Sequence, residues 1–373
     1  MFIRAVLLVL GFLLPVAWIQ AADATEIIDL AGRKVEIPVK VERVILGEGR
    51  FLPVLGILDR AEPLARVVGM MGEFALLDPS GYQQYLARFP GIAELPMVGQ
   101  ASADSFSVEK SISLAPDLAI FGLEGHSPGP HAKEVIDQLE AAGIAVVFID
   151  FRRDPLVNTP RSIELLGKVL GREREAAEFL AYYDQQMKRV SDRLAGTVRK
   201  PSVFLESRVG LLDECCGTMG NGMMGRFIEK AGGTNIAAAL IPGAAGTINL
   251  EYLLANQPDI YIGTAIGTAS GVSTMPNRLA LGADVPPDPA RQTLVRSTQR
   301  TGIGDLDAVR SGRAHAIWHH FYNSPFNVVA VQVFAKWFHP DLFGDLDPGA
   351  TLRTLYERFQ PVPLSGTYWV DLK

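Results

Sequence analysis

The same short unit occurs twice in this chain, once on each side of a long helical run, and that repetition limits its architecture more than any other feature. The first copy reads Glu109-Lys110-Ser111-Ile112-Ser113-Leu114-Ala115-Pro116-Asp117-Leu118-Ala119-Ile120-Phe121, and the second Glu251-Tyr252-Leu253-Leu254-Ala255-Asn256-Gln257-Pro258-Asp259-Ile260-Tyr261-Ile262-Gly263. Each is a glutamate, a short helix, a Pro-Asp turn and a buried strand, with the glutamate equally far ahead of the turn. Repetition of a supersecondary unit predicts two equivalent lobes. Between the copies, apolar residues recur at Ala177, Leu180, Tyr183, Met187, Val190 and Leu194, with Glu178, Asp184, Lys188 and Arg189 elsewhere. Spacings of three and four predict one amphipathic helix over about 173–195. At roughly 30 Å it is long enough to brace two lobes from behind. Gly171, after a shorter helical run Ser162–Leu170, marks its start, and Gly196 with Lys200-Pro201 marks its end.

The chain opens with Arg4, an apolar run from Ala5 to Ile19, and the small residues Ala21, Ala22 and Ala24. This is the pattern of a secretory signal peptide over 1–22, cleaved between 21 and 24. The run is short for a spanning helix, and Asp23, Glu26 and Asp29 follow it in place of a basic cluster. No cysteine stands there to carry a lipid anchor, so a soluble exported product is expected. With 373 residues, 48% of them hydrophobic, the chain can bury two cores of ordinary domain size. Its 41 acidic and 35 basic residues leave a formal net charge of −6 without a Lys/Arg stripe, which argues against nucleic-acid binding.

Past the strand-like runs at Ile27 and Val35, strands alternate with helices. Arg43–Leu46 ends in Gly47-Glu48-Gly49-Arg50; Arg66–Val68 ends in Gly69-Met70-Met71-Gly72; Leu118–Phe121 ends in Gly122; and Ala145–Ile149, after a helix over Ala132–Ala142, ends in Asp150. Later strands at Ser202–Leu205, Ile260–Ile262 and Ala314–Trp318 lead into Glu206-Ser207-Arg208, Gly263-Thr264 and His319-His320-Phe321-Tyr322-Asn323. Such alternation predicts an α/β fold of two mainly parallel-sheet lobes with flanking helices, joined by one long rigid helix. The expected bounds are 23–160 for the N-terminal lobe, 161–196 for the linking helices and 197–373 for the C-terminal lobe. Ligands of such sheets sit at the carboxyl ends of the strands. That rule selects Glu48, Arg50, Met70, Arg208, His319, His320, Tyr322 and Asn323 as ligand-binding candidates. Gly-x-Gly-x-x-Gly is not completed at Gly47, so no dinucleotide site is read there. Met219, Met223 and Met224 read as core filling. After helices over Asn327–Phe338 and Thr351–Phe359, the run Pro361–Trp369 is expected to lie against the second lobe without chemistry of its own.

Cys215 and Cys216 are adjacent, which rules out an ordinary loop-closing framework. In an oxidising compartment they can close on each other, bind a soft metal, or pair between molecules. A local vicinal disulfide is the favoured reading. Redox catalysis is disfavoured because the spacing is not Cys-x-x-Cys.

Taken in order, Asp29 with Gly32-Arg33, Arg43-Val44-Ile45, Glu109 with Pro116-Asp117-Leu118, Gly143-Ile144-Ala145-Val146, Ala231-Gly232-Gly233-Thr234-Asn235, Glu251 with Pro258-Asp259-Ile260, and Ala308-Val309 with Gly312-Arg313 carry a family likeness. The chain resembles the periplasmic substrate-binding proteins of ABC importers for ferric siderophores, haem and cobalamin, over nearly its whole mature length. The resemblance implies a monomeric periplasmic protein without a cofactor. It would deliver an iron chelate, foremost a ferric siderophore, to a membrane permease and its ATPase. In such proteins a carboxylate on each lobe docks onto the permease, and the motif matches fall on Glu109 and Glu251. An anionic ferric chelate suits Arg50, Arg208, Tyr322 and Asn323. Haem would want Tyr322, His319 or His320 as an axial ligand, and cobalamin an aromatic face such as Trp318. A chelatase or reductase using Cys215 and Cys216 is the alternative of another class. It would need a nucleophile with a base or a cofactor motif, and none is visible.

Overall fold

The computed structural model describes residues 25–197, 199–211 and 215–373. The export segment expected over 1–22 lies outside the described residues. Strands β1 (Thr25–Ile28) and β2 (Lys34–Ile37) form an antiparallel hairpin. Its turn is closed by Asp29, whose carboxylate accepts the amides of Ala31 and Arg33 at 3.0 and 2.9 Å. The first lobe is then built on β3 (Val44–Leu46), β4 (Val67–Met71), β5 (Met97–Gly99), β6 (Leu118–Gly122) and β7 (Ala145–Ile149), in the order β5-β4-β3-β6-β7 with every pair parallel. Its strands are buried nearly throughout, as a sheet covered on both faces requires.

The second lobe contains β8 (Ser202–Glu206), β9 (Gly217–Met219), β10 (Thr234–Asn235), β11 (Ala245–Thr247), β12 (Ile260–Ala265), β13 (Ala314–Trp318) and β14 (Trp369–Asp371). Their order is β11-β9-β8-β12-β13-β14, with β10 beside β8. The β8, β12 and β13 core is parallel, and antiparallel strands close both edges. β14 comes from the closing run: it completes the sheet where only a surface strip was expected.

The duplication is visible in detail. β6 lies between β3 and β7 as β12 lies between β8 and β13. Glu109 and Glu251 each stand two residues after a helix N-cap, Ser107 and Asn249, whose side chains accept the amides of Lys110 at 3.2 Å and Glu251 at 2.6 Å. Asp117 of one turn accepts the amides of Glu42 and Arg43, each at 2.8 Å. Asp259 of the other accepts the amide and hydroxyl of Ser202, each at 2.9 Å. In both copies the Pro-Asp turn is thereby pinned to the start of the neighbouring strand.

The long helix runs Glu173–Leu194, after a helix Pro155–Leu170 that begins earlier than its periodicity alone announces. Pro155 occupies the first turn, where a missing N–H costs little, and Pro160 is carried inside. The buried stripe of the long helix is Ala176, Phe179, Tyr183, Gln186 and Val190, while Ala177 is exposed. Burying Phe179, Tyr183 and Val190 contributes about 1.5–3 kcal/mol each. An exposed pair such as Lys188 and Asp192 adds about 0.5 kcal/mol or less, so packing holds this helix in place. Its register against the second lobe is set by two buried polar contacts: Tyr183 Oη donates to Asn327 Oδ1 at 2.8 Å, and Gln332 Nε2 to Gln186 Oε1 at 3.2 Å. Asn327 Nδ2 donates in turn to Thr159 Oγ1 at 2.9 Å, so one amide ties both linking helices to helix Asn327–Phe338.

A second connection comes from the closing run. Arg60, in the first lobe, donates to the carbonyl oxygens of Glu357, Arg358 and Gln360, satisfying the end of helix Pro348–Phe359. Tyr85 Oη donates to Gln360 Oε1 at 2.6 Å, and Gln84 Nε2 to Ser365 Oγ at 2.8 Å.

Candidate functional site

The carboxyl ends of β3, β7, β8 and β13 face one another across the two lobes and enclose a cavity of about 180 Å³. Its polar wall is Arg50, Arg152, Arg208, His319, His320 and Tyr322, and Leu77 and Ile266 lie among the apolar groups. A depression of about 700 Å³ between Lys40, Asp59, Arg66 and Arg172 is larger, but it sits at the amino ends of the first-lobe strands and is open. The larger one sets its cations among Glu42, Asp59, Glu62 and Glu175, whereas the smaller is bordered by three arginines and by no carboxylate among the described lining residues.

Glu48 organises the cavity from below. It is 2% exposed and lies between two guanidinium groups, with Arg50 Nη2 at 3.1 Å and Arg152 Nη2 at 3.2 Å from Oε2. His126 N donates to Oε1 at 3.0 Å. Burial alone would raise the Glu48 pKa; Arg152 and Arg50 outweigh it, and the carboxyl is held below its ordinary range. A side chain on Gly125 would overlap Glu48 Oε1, and its φ of 141° is one that L-residues rarely adopt. Glu48 is shared by two guanidiniums, and a second carboxylate, Glu73, stands 3.5 Å from Arg50 Nε. Glu73 lies behind Arg50, accepting the amides of Gly49 and Arg50 at 3.0 Å each, and burial pushes its pKa up to about 7.

The second lobe supplies donors. Thr264 Oγ1 accepts the Arg208 amide at 2.7 Å and lies 2.9 Å from His319 Nδ1. Burial, then His320 and Arg208, holds His319 well below its usual pKa, so the ring is neutral, with one donor and one acceptor nitrogen. Tyr322 Oη accepts from Arg152 Nη1 at 2.9 Å, with the Arg152 guanidinium 5.5 Å from the Tyr322 ring centre. In the amide orientation that satisfies both ends, Asn323 accepts from Arg50 Nη1 at 2.7 Å and donates to His320 O at 2.9 Å. Arg208 and Met223, both at the cavity wall, are non-glycine residues with φ of 50° and 48°. Strain of this kind persists only where surrounding structure imposes it, and it clusters at ligand sites.

Of the residues selected from sequence, Arg50, Arg208, His319, His320 and Tyr322 line the cavity, and Glu48 and Asn323 support it from behind. Met70 does not reach it: its side chain is in the first-lobe core, 4% exposed, packed under Gly49. Arg152 and His126 were missed. Arg152 stands two residues past the Asp150 that ends β7, and its loop is shaped by that carboxylate, which accepts the amides of Arg152 and Arg153 at 2.8 Å and of Asp154 at 3.0 Å. The strand-end rule applied to β7 would have found it. Glu109 and Glu251 are exposed and outside the cavity. The sulfur atoms of Cys215 and Cys216 are joined to each other. Among the described residues no cluster of three or more His, Cys, Asp or Glu is arranged to hold a bare metal ion.

Residues 86–280 match a family described as periplasmic binding protein. The chain is 24% identical over 255 residues to the molybdate-binding protein MolA of Haemophilus influenzae, covering 63% of this chain and 67% of that one. Among solved structures it is similar to the TroA-like periplasmic binding protein FepB from Veillonella parvula, at 27% identity and a TM-score of 0.82, covering 93% of this chain and 99% of that one. MolA bound to molybdate aligns over 92% and 99% of the two chains at 19% identity, TM-score 0.68. Helicobacter pylori CeuE with Ni(II) bound aligns over 90% and 95% at 16% identity, TM-score 0.65. These last two likenesses are of fold.

Proposed function

Because this chain belongs to the periplasmic binding protein family, matched over residues 86–280, we propose that it is the solute-binding component of an ABC importer and that its cleft captures a negatively charged metal species, an iron chelate first among them. The observation that carries this reading is that Arg50, Arg152 and Arg208, with the His319 ring beside them, border one cavity, while the carboxylates of Glu48 and Glu73 are buried behind them. Fixed donors, with no metal-ligating cluster among the described residues, favour a ligand that arrives with its metal already coordinated and presents anionic oxygens. At about 180 Å³ the cavity is below the roughly 300–1,000 Å³ that encloses a drug-sized ligand, so by itself it does not enclose haem or cobalamin. A ferric siderophore would place only its charged head there. The same volume, with the resemblance to MolA, supports molybdate as a second reading.

On this proposal Glu109 and Glu251 dock the permease. Their support is equivalence: both are exposed, both sit at the same helical position of a duplicated unit, and neither borders the cavity. Two carboxylates at matching points orient a two-fold partner and raise its on-rate.

Periplasmic material analysed for metals should carry about one iron per chain, and the stripped protein should rebind a ferric chelate in calorimetry. Molybdenum in place of iron would select the second reading. Turnover of the chelate without stoichiometric binding would replace both with the enzyme.

A further inference from the structure

Three hollows meet at one side chain. Arg208 borders the cavity of about 180 Å³; a second of about 310 Å³ lined by Glu206, Gly217, Thr218, Gly246 and Thr247; and a slot of about 90 Å³ between Leu76, Leu77, Leu211 and Ile266. Among the described lining residues no other borders all three. The two larger hollows also share Ser207 and Ala245, so they adjoin, with Arg208 in the wall between them. Its backbone is fixed: the amide is held by Thr264 Oγ1, Val209 N donates to Thr264 O at 3.0 Å, and φ is 50°. Its side chain is exposed and makes no hydrogen bond or ion pair among the described residues.

We infer that the site is compartmented, with the anionic, metal-bearing head of the ligand in the inner chamber and a hydrogen-bonding arm of its chelator reaching past Arg208 into the outer one. This rests on the proposed anion capture and narrows the ligand to a metal complex of a hydroxyl- or carboxylate-bearing chelator. The outer walls suit such an arm. Gly210, Gly217 and Gly246, all half-buried, present backbone without side chains. The Glu206 carboxylate is neutralised by Arg300 Nη1 at 2.9 Å and Nη2 at 2.5 Å, with Tyr261 Oη at 2.5 Å, so it does not repel an anionic complex. Together the two chambers enter the size range of ordinary organic ligands, which the inner one alone does not.

The test uses ferric citrate and molybdate on the full chain, with Gly217→Val as the obstructing variant. A Cβ at Gly217 meets nothing nearer than Ser207 O at 4.0 Å, so the larger residue fits the strand while filling the chamber. Wild type should bind ferric citrate about tenfold more tightly than molybdate or better, and Gly217→Val should lose about tenfold for ferric citrate with molybdate unchanged. Equal binding of the two probes by wild type, or a variant that weakens both alike or neither, overturns the compartments. Arg152→Ala separates this from the broader reading. If both probes depend on Arg152 but ignore position 217, only the arm is wrong; if neither probe binds or neither needs Arg152, anion capture itself fails.

Discussion

Arg50 Nη1 and His320 Nδ1, one from each lobe, lie 3.0 Å apart, and the other ring nitrogen fixes the sense of that bond. His320 Nε2 is 2.8 Å from the Leu77 carbonyl oxygen, which can only accept, so Nε2 carries the proton and Nδ1 receives the guanidinium N–H. Burial first, and Arg50 second, keeps this imidazole well below its usual pKa. The neutral ring thus bonds to two first-lobe groups at once.

Arg50 and Arg208 should therefore respond differently to truncation. Arg50→Ala leaves Glu48 and His320 without a shared buried partner and should cost about 3–5 kcal/mol in denaturant unfolding. Arg208→Ala should change stability by about 0.5 kcal/mol or less. It should nevertheless weaken an anionic chelate by about 1.5–3 kcal/mol, tenfold or more. Equal losses of stability would show that Arg208 is a structural residue.

The raised Glu73 predicts a pH dependence. Its folded pKa of about 7 exceeds its ordinary 4.5, so its stabilising contribution is complete below about 4.5 and is lost as pH rises through 7. Glu48, shifted the other way, contributes above its ordinary value and loses that contribution on acidification. For ligand binding, protonating Glu73 removes a negative charge from beside Arg50. Affinity for an anion should rise as pH falls from about 8 to about 6. Glu73→Gln should flatten that slope in calorimetric titrations, and an unchanged slope would assign it elsewhere.

Replacing Glu109 and Glu251 together by Ala should leave ligand affinity within about twofold, a difference of some 0.4 kcal/mol, because neither borders the cavity. The same double variant should abolish stimulation of the cognate transporter's ATPase in reconstituted membranes. Loss of ligand binding on the scale of Arg208→Ala would place these glutamates in the wrong surface.

The lobes should close through a small angle only. The linking helices are locked to the second lobe through Asn327 and Gln332, and both contacts are buried. Solution scattering with and without ferric chelate should give nearly superimposable curves. A fall of several ångströms in the radius of gyration would mean these contacts break on binding.

The duplicated unit, the strand ends and the long helix were legible because each leaves a local signature: a repeat, a period, a glycine after a buried run. What was not legible depends on direction and on distant partners. Met70 follows a strand as Arg50 does, but its side chain turns into the core, and neighbourhood in sequence does not report facing. The packed face of the long helix is wider than the stripe its apolar residues announce: Leu180, Met187 and Leu194 pack at its margin, and it includes Gln186, whose burial is permitted by Gln332, 146 residues away. The helix before it starts at Pro155, ahead of the periodic run from Ser162, because the first turn of a helix tolerates one proline and tertiary packing carries Pro160. Arg152 lies in a loop whose shape comes from Asp150 accepting three successive amides, a turn that hydrophobic periodicity does not detect.

The closing run, from Glu357 to the β14 edge, has a mechanical meaning. Two plates joined along one line can twist as well as fold; fastened along a second, separate line, by Arg60, Tyr85 and Gln84, they resist torsion too. The tips bearing Glu109 and Glu251 then act like the jaws of a caliper locked near one setting. On the docking reading, a membrane partner measures that gap as a badge of identity, the same whether or not cargo is aboard.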